Sequence, residues 1–225
     1  MAATPQLLTP FAAAGGITYK NRIGLAPLTR ARADAVTGCV KDMHVEYYGE
    51  RASSGLIFSE GAGISRRGLG WYSAPGIYTA EQVEAWKPVT AAVHKNNGLI
   101  FCQLWHMGRA GHEVLDGVGF GFHEKTAVPY SLEKARAAIA AGNPDGTTAL
   151  AGNAGYTVDA AETAIAEGRA DIITFGRPYI SNPDLAERVR DNVPLAADPP
   201  YAHWWGSDSV EGYLTYPRAT VKANA

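Results

Sequence analysis

Short apolar runs alternate with amphipathic segments along most of this chain, and this alternation limits the folds available to it. The apolar runs predict strands over residues 23–28, 56–59, 99–104, 147–151 and 171–175. The segments between and after them predict helices over residues 43–53, 79–94, 131–141, 157–167 and 183–191. Strands that alternate with helices in this way indicate a parallel sheet with helices packed outside it.

Capping signals support the starts of three helices. Thr79 and Gln82 form a capping-box pattern, in which the Gln82 side chain reaches back to the backbone N–H of Thr79. Ser131 is the predicted N-cap of the third helix. Asn182 is the predicted N-cap of the last helix, with Pro183 at its first position.

The first helix and the end of the chain carry weaker signals. Gly55 is expected to end the first helix, because glycine is common just past a helix C-terminus. Tyr47, Tyr48 and Ala52 are its predicted inward positions. The stretch 194–225 is rich in proline, aromatic and small residues, and we expect it to form an irregular extension that covers part of the fold.

Size and composition suit a single soluble domain, residues 1–225. The chain has 225 residues, 46% of them apolar, and a net charge of −2, which gives no reason to expect nucleic acid or a membrane surface as a partner. Two cysteines cannot form a disulfide framework, so a reducing compartment is expected. The first residues lack the features of a signal peptide, and the expected location is cytoplasmic. The oligomeric state is left open.

The predicted strands end in residues suited to ligand binding. In parallel sheets with outer helices, chemistry collects at the carboxyl ends of the strands. The strand ends here read Pro27-Leu28-Thr29, Glu60-Gly61, Gln103-Leu104-Trp105, Asn153-Ala154-Gly155 and Gly176-Arg177. Small, amide, hydroxyl and cationic groups of this kind contact polar aromatic ligands and their phosphates. The alternative is that loops after strands are polar and glycine-rich in any protein.

These segments resemble the Old Yellow Enzyme family, FMN-dependent ene-reductases built on a (β/α)8 TIM barrel. The resemblance rests on the stretches NRIGLAPLTRARA (21–33), YYGERASSGLIFSEGAGIS (47–65), PGIYTAEQVEAWKPVTAAVHKNNGLIFCQLWHMGR (75–109), FGFHEK (120–125), GNAGYT (152–157), FGRPYISNPDLAERV (175–189) and GYLTYP (212–217). These stretches occur in the family's order and cover most of the chain.

The resemblance implies a flavin site at the strand ends. The residues that would line the isoalloxazine ring are Ala26, Pro27, Leu28 and Thr29. The Thr29 hydroxyl would hydrogen-bond the ring, Gly61 would allow close approach of the backbone to it, and Gln103 would bind the pyrimidine edge. The residues that would hold the FMN phosphate are Asn153, Ala154, Gly155, Gly176 and Arg177. Trp105 and Tyr216 would lie near the substrate.

The resemblance also implies a redox activity. NADPH or NADH would reduce FMN, and hydride would then pass to the β-carbon of an activated alkene, an enone or a nitro compound. In such enzymes a pair of donors stabilises the developing negative charge on the substrate oxygen. The flavin carries the redox chemistry, and the protein supplies position and hydrogen bonds.

Part of the family pattern has no counterpart in this chain. The family's donor pair, His-x-x-Asn or His-x-x-His at the end of its fourth strand, is missing, as are the tyrosine two residues later and a fifth-strand arginine. The pattern stops at about Gly111 and resumes at Val114, so an internal deletion near 112–114 is predicted. An incomplete barrel with about five of eight strand–helix units remains, with 114–118 as the stub of a sixth. Such an opened barrel is expected to be marginally stable or prone to aggregation.

Two other functions stay open. The chain could be a catalytically impaired, truncated or splice-form relative that at most binds flavin. It could also be an unrelated barrel enzyme that uses His106 or His112 as a base, although a lone histidine in a loop is usually solvated or structural.

Overall fold

The computed structural model describes residues 4–108, 137, 149–206 and 208–219. Its strands are β1 (Phe11–Ala12), β2 (Thr18–Tyr19), β3 (Ile23–Leu25), β4 (Leu56–Gly63), β5 (Ile100–Trp105), β6 (Ala151–Gly152) and β7 (Ile172–Phe175). Its helices are α1 (Asp42–Glu50), α2 (Ala80–Lys95), α3 (Val158–Ala166), α4 (Arg177–Ser181) and α5 (Leu185–Arg190). Short 3-10 helices cover Gln6–Leu8, Ala14–Gly16, Arg66–Gly68 and Tyr201–His203.

Five strands form one parallel sheet in the order β5-β4-β3-β7-β6. Strand β3 pairs with β4 on one side and with β7 on the other, and Gly24 lies opposite Leu56 and Thr174. The first strand of the sheet therefore lies beside the last one in the chain, as it does where a β/α barrel closes on itself. This order confirms the predicted parallel sheet, and the fold is that of an incomplete (β/α)8 barrel.

A small antiparallel hairpin, β1–β2, lies at the amino end of this sheet. Phe11 and Tyr19 pair across it with their rings stacked 6.2 Å apart. Tyr19 belongs to a small apolar cluster with Leu56 and Ile172, the first residues of β4 and β7. The hairpin therefore packs at the end of the sheet opposite the strand ends predicted to bind a ligand. Strands of two residues are too short to show a period-2 pattern, so the sequence did not predict it.

The first two helices agree with the sequence pattern. Helices α1 and α2 pack against each other, and Tyr47, Tyr48 and Ala52 are buried as predicted. The capping box of α2 is confirmed: Gln82 N–H donates to Thr79 Oγ1, and Thr79 N–H donates to Gln82 Oε1, both at 3.1 Å.

Gly55 does not end α1, so that prediction was wrong. Helix α1 ends at Glu50, and a turn separates it from β4. The Gly55 N–H donates to Asn21 Oδ1 at 2.7 Å, and a Cβ on Gly55 would lie 2.0 Å from the backbone oxygen of Asn21. The glycine is required by this close approach of two backbone segments.

The prediction for the last helix was wrong at its start. Helix α5 begins at Leu185, with Asp184 as its N-cap residue. Asn182 instead accepts the Ala196 N–H on Oδ1 at 2.7 Å, so it fixes the beginning of the C-terminal segment. The preceding helix α4 has five residues, which are too few to show a helical period in the sequence.

Other boundaries differ by a few residues. The first predicted strand pairs only over Ile23–Leu25, because Pro27 has no N–H to donate to a ladder. The strand predicted over 147–151 is observed as Ala151–Gly152. The predicted helix 131–141 with its cap Ser131, the junction near 112–114 and the stub 114–118 lie outside the described residues, apart from Ala137, which is helical.

Strands β5 and β6 end the sheet, and each pairs on one side only among the described residues. Apolar side chains of β5 are accessible, with 67% of Leu104 and 39% of Phe101 exposed. Within the described ranges, no helix combines the length and the apolar character needed to cross a bilayer.

Candidate functional site

A cavity of about 560 Å³ opens at the carboxyl ends of β3, β6 and β7. The predicted ligand-binding residues that line it are Ala26, Pro27, Leu28, Asn153, Ala154, Gly155, Gly176 and Arg177. These eight residues come from three separate segments of the chain, and the fold brings them together. We call this space the strand-end cavity.

The turn after β6 offers backbone donors to the strand-end cavity. Ala154 and Gly155 both have positive φ, +70° and +77°. Two successive residues in this conformation form a tight turn, and their N–H groups make no hydrogen bond to another described residue. The turn leads into α3, whose N-cap Thr157 accepts the Ala160 N–H on Oγ1 at 3.2 Å.

Arg177 supplies the cationic group of the cavity. It is the first residue of α4, directly after Gly176, and half of its side chain is exposed. Its Nε lies 3.5 Å from Asp198 Oδ2, a half-exposed carboxylate that also lines the cavity. Its Cζ lies 5.5 Å from the ring centroid of Trp204 in the C-terminal segment. The guanidinium therefore has a weak ion-pair partner and retains donors for an anion.

A second group of predicted residues lies on β4 and β5, and it does not line the strand-end cavity. Gly61 is paired with Gln103 across these two strands. The Gln103 N–H donates to Ser59 Oγ at 3.0 Å, and its side chain is exposed. A Cβ on Gly61 would lie 2.6 Å from Trp105 Cε3, so the neighbour that requires a glycine here is the Trp105 indole.

Thr29 and Tyr216 were also predicted from the resemblance, and neither lines the cavity. Thr29 is half-buried and follows Leu28, which does line it. The Tyr216 hydroxyl lies 2.7 Å from His203 Nδ1, and burial raises the pKa of Tyr216. His203 Nε2 lies 3.9 Å from Glu211 Oε1.

The structure gives little support to the alternative hypothesis, in which His106 or His112 acts as a catalytic base. His106 Nδ1 accepts the Gly108 N–H at 2.9 Å, which ties down the loop after β5. Among the described residues, no carboxylate pairs with His106. His112 lies outside the described residues.

Sequence reasoning missed several residues of the site. The cavity lining that was not predicted comprises Tyr156, Thr157, Val158, Thr174, Phe175, Pro178, Leu195, Ala196 and Asp198. Leu195, Ala196 and Asp198 belong to the C-terminal segment, whose position depends on tertiary contacts. Also missed were the buried arginines Arg30 and Arg32, and the strand end Glu60-Gly61 was identified without the burial of the Glu60 carboxylate.

Comparison of the sequence with known families gives one match that covers half of the chain. The profile of the NADH:flavin oxidoreductase / NADH oxidase family matches residues 6–118. The chain is 45% identical over 112 residues to 12-oxophytodienoate reductase 7 of Oryza sativa subsp. japonica. It is 46% identical over 100 residues to flavin oxidoreductase hxnT of Emericella nidulans. These alignments cover 49% and 43% of this chain but only 28% and 26% of the relatives.

Solved structures with the same fold align over nearly the whole chain. A variant of NCR from Zymomonas mobilis is 30% identical, with a TM-score of 0.78 over 96% of this chain and 100% of that chain. The Old Yellow Enzyme homologue from Zymomonas mobilis is 26% identical, with a TM-score of 0.75 over 95% of this chain and 99% of that chain. Morphinone reductase in complex with tetrahydroNAD has a TM-score of 0.78 at 23% identity over 99% of this chain and 100% of that chain, a likeness of fold.

Proposed function

Because the chain belongs to the NADH:flavin oxidoreductase / NADH oxidase family, we propose that it binds FMN at the carboxyl ends of its strands and acts as an NAD(P)H-dependent oxidoreductase of the Old Yellow Enzyme type. The observation that carries this proposal is the strand-end cavity, which gathers eight residues expected to contact FMN. When bound, FMN supplies hydride transfer from NADPH or NADH to an acceptor.

The donor set of the cavity fits a phosphate. The N–H groups of Ala154 and Gly155, which bond to no other described residue, and the half-exposed guanidinium of Arg177 are the kinds of group that bind phosphate oxygens in proteins. The position also agrees with the usual phosphate site of β/α barrels, formed by the loops after the seventh and eighth strands. In this chain those strands correspond to β6 and β7.

The remaining predicted contacts complete the proposed site. Pro27 and Leu28 would exclude water from one face of the flavin ring, and Thr29 would donate its hydroxyl to that ring. The side-chain amide of Gln103, an exposed residue within β5, would pair with the pyrimidine edge. Trp105 and Tyr216 would bound the space for an enone or nitro substrate. Relatives named as 12-oxophytodienoate reductases support an α,β-unsaturated carbonyl as the substrate class.

A second candidate function is flavin binding without alkene reduction. One observation favours it: the only His-x-x-Asn of the sequence is His94-Lys95-Asn96-Asn97. His94 lies in the last turn of α2, and Asn97 precedes β5, at the end of the sheet opposite the strand-end cavity. This pair cannot serve as the family's oxyanion donors, and its occurrence is a coincidence.

The primary test compares FMN with riboflavin, which lacks the phosphate. We expect the purified chain to retain a stoichiometric flavin absorption band after incubation with FMN and desalting. Arg177→Leu should weaken FMN binding about 10- to 100-fold, because a hydrogen bond to a charged group contributes on the order of 1.5–3 kcal/mol. The same substitution should leave riboflavin affinity unchanged, since Arg177 is proposed to contact the phosphate alone.

Two further variants sharpen this test. Arg190→Leu removes an equal charge from a guanidinium that pairs with Asp191 on the surface, and it should not change FMN affinity. Asp198→Asn removes the carboxylate beside Arg177 and should tighten FMN binding about threefold, as expected for a half-exposed ion pair. Equal losses of FMN and riboflavin affinity in Arg177→Leu would contradict the assigned phosphate contact.

The two candidate functions differ in turnover. The FMN-loaded chain would be mixed with NADPH or NADH and an α,β-unsaturated ketone, and both alkene reduction and oxygen consumption would be followed. Alkene reduction supports the oxidoreductase of the Old Yellow Enzyme type. Oxygen consumption without alkene reduction supports the impaired flavoprotein.

A further inference from the structure

A group of buried polar and charged side chains lies beside the turn that follows β3. It comprises Arg30, Arg32, His44, Glu60 and Tyr213, each no more than 1% exposed, and we call it the Glu60 cluster. Burial of a carboxylate and two guanidinium groups is costly unless each is hydrogen-bonded. The contacts that they make therefore indicate what the cluster holds in position.

The Glu60 carboxylate holds the turn that follows β3. Its Oε2 accepts two backbone N–H groups, those of Arg30 and Ala31, both at 3.0 Å. Ala31 has a φ of +52°, a conformation that residues other than glycine rarely adopt. Such a conformation persists only where its surroundings enforce it. The two hydrogen bonds to Glu60 hold the backbone of Ala31 in this conformation.

This turn is continuous with the wall of the cavity. Pro27 and Leu28 line the strand-end cavity, and Arg30 follows Leu28 by two residues. A shift of the Arg30 and Ala31 amides would therefore move Thr29 and Leu28 as well. The Glu60 carboxylate thus fixes one wall of the cavity although it does not line it.

The Arg30 side chain holds the C-terminal segment on the other side. Its Nη2 donates to the backbone oxygens of His203 and Gly212, at 2.8 and 2.9 Å, and its Nε donates to the backbone oxygen of Trp204 at 2.9 Å. The Trp204 ring in turn lies 5.5 Å from the guanidinium carbon of Arg177 at the phosphate end of the cavity. One residue, anchored at its backbone by Glu60, therefore connects both sides of the cavity.

We propose that Glu60 is a positioning residue for flavin binding: by holding the Arg30–Ala31 turn, it sets the wall at Leu28 and the docking of the C-terminal segment beside Arg177. The inference rests on the proposed FMN site. It assigns Glu60 no contact with the flavin or the substrate. Its role depends on a side chain long enough to place an acceptor oxygen within hydrogen-bond distance of the Arg30 and Ala31 N–H groups.

Two variants separate the effect of the length of the Glu60 side chain from the effect of its charge. Glu60→Asp keeps the charge but shortens the side chain by one methylene, which withdraws the acceptor from the Arg30 and Ala31 amides. Glu60→Gln keeps the reach and an acceptor oxygen but loses the charge. We expect Glu60→Asp to weaken FMN binding at least about tenfold, and Glu60→Gln to remain within about threefold of the unsubstituted chain.

A matched control lies at the other end of the same strands. Asn21 Oδ1 also accepts two backbone N–H groups, those of Ile23 and Gly55, at 3.1 and 2.7 Å. Asn21→Ala removes an equivalent backbone anchor far from the strand-end cavity. It should lower thermal stability without changing FMN affinity.

Hydrogen exchange of the full chain without FMN provides a readout that is independent of flavin binding. In Glu60→Asp, the amides of Arg30 and Ala31 and those of the segment 201–217 should exchange faster, while in Glu60→Gln and Asn21→Ala they should not. Faster exchange together with weaker FMN binding supports the proposal. Unchanged FMN affinity in Glu60→Asp, or an equal loss in Glu60→Gln, overturns it.

Failure of the proposed function gives a different result. If the unsubstituted chain does not bind FMN, the flavin site is wrong, and with it the role of Glu60 in flavin binding. The exchange rates of the Arg30 and Ala31 amides would still decide whether Glu60 anchors the turn.

Discussion

At the scale of single residues, His44 shows how burial fixes a protonation state. Its Nδ1 lies 3.0 Å from the backbone N–H of Lys41, which can only donate. The ring proton of the neutral imidazole is therefore on Nε2, which lies 3.9 Å from Glu60 Oε1. Burial lowers the pKa of His44 to about 4; a hydrogen bond to the Lys41 backbone opposes this shift, and the nearby cations Lys41, Arg32 and Arg30 add to it.

This pKa predicts an acid-sensitive fold. A histidine whose pKa is lower in the folded chain contributes stability that is fully present above its unfolded pKa, near 6.5, and is lost as the pH falls toward 4. The contribution at stake is about 3 kcal/mol. His44→Gln should remove this pH dependence, because glutamine at the third helical position can still accept the Lys41 N–H but does not titrate.

The measurement is urea unfolding of both chains between pH 7 and pH 4. Their difference in unfolding free energy should change by about 3 kcal/mol across this range in favour of His44→Gln at the acid end. His94→Gln, a substitution at an exposed position of α2, is the control and should leave the profile unchanged. Parallel profiles for His44→Gln and the unsubstituted chain would contradict the assignment.

At the scale of elements, the C-terminal segment has an aromatic anchor in addition to its hydrogen bonds to Arg30. Tyr213 is fully buried and stacks on Tyr47 of α1, with ring centroids 4.1 Å apart and planes within 2°. The guanidinium carbons of Arg30 and Arg32 lie 5.0 and 4.8 Å from its ring centroid. The Tyr213 hydroxyl has no hydrogen-bond partner among the described residues. The ring, and not the hydroxyl, therefore attaches this segment to α1 and to the turn after β3.

Two substitutions separate the contribution of the Tyr213 ring from that of its hydroxyl. Tyr213→Ala should cost about 3–5 kcal/mol of unfolding free energy, the usual cost of truncating a buried aromatic ring. Tyr213→Phe should be neutral or stabilise by up to about 1 kcal/mol, since it removes a buried hydroxyl without a partner. Urea unfolding monitored by tryptophan fluorescence checks both values, and a large loss in Tyr213→Phe would indicate that the hydroxyl makes a hydrogen bond in the folded chain.

The elements also show what could be predicted from the sequence. Strands β4, β5 and β7 and helix α2 carry local signals, an apolar run or the Thr79–Gln82 capping box, and these were found. The β1–β2 hairpin, helix α4 and the anchors of the C-terminal segment lack such signals. Arg30 reaches backbone oxygens more than 170 residues away, and Asn182 reaches Ala196. Contacts of this kind depend on the assembled fold, so no local pattern encodes them.

Local sequence patterns also predicted only part of the candidate site. Residues at strand ends were predictable because parallel strands bring their carboxyl ends to one edge, and seven of the eight cavity residues were named in this way, while Ala26 came from the family resemblance. Asp198 and Leu195 were missed because the irregular C-terminal segment carries them. The need for glycine at Gly61 was predicted, but the neighbour that imposes it in the structure is Trp105.

At the scale of the whole molecule, the described residues form a sheet that is an arc of a barrel, with β5 and β6 at its two ends. Strand β5 has one unpaired backbone edge among the described residues, and its apolar side chains Phe101 and Leu104, on opposite faces of the strand, are exposed. Unpaired, apolar strand edges pair with other chains, and a charged residue such as lysine on the edge opposes this pairing. The sequence-based expectation of aggregation therefore has a specific candidate surface in β5.

We expect the purified chain to self-associate through this strand and Leu104→Lys to weaken the association. The loss should be about tenfold in the association constant, equivalent to about 1.4 kcal/mol. Sedimentation velocity over a range of concentrations measures it, and Val83→Lys is the matched control, since Val83 is an exposed apolar residue on helix α2. An equal effect of both substitutions would assign the association to general surface hydrophobicity. A monomer at all concentrations would show that the β5 edge is protected.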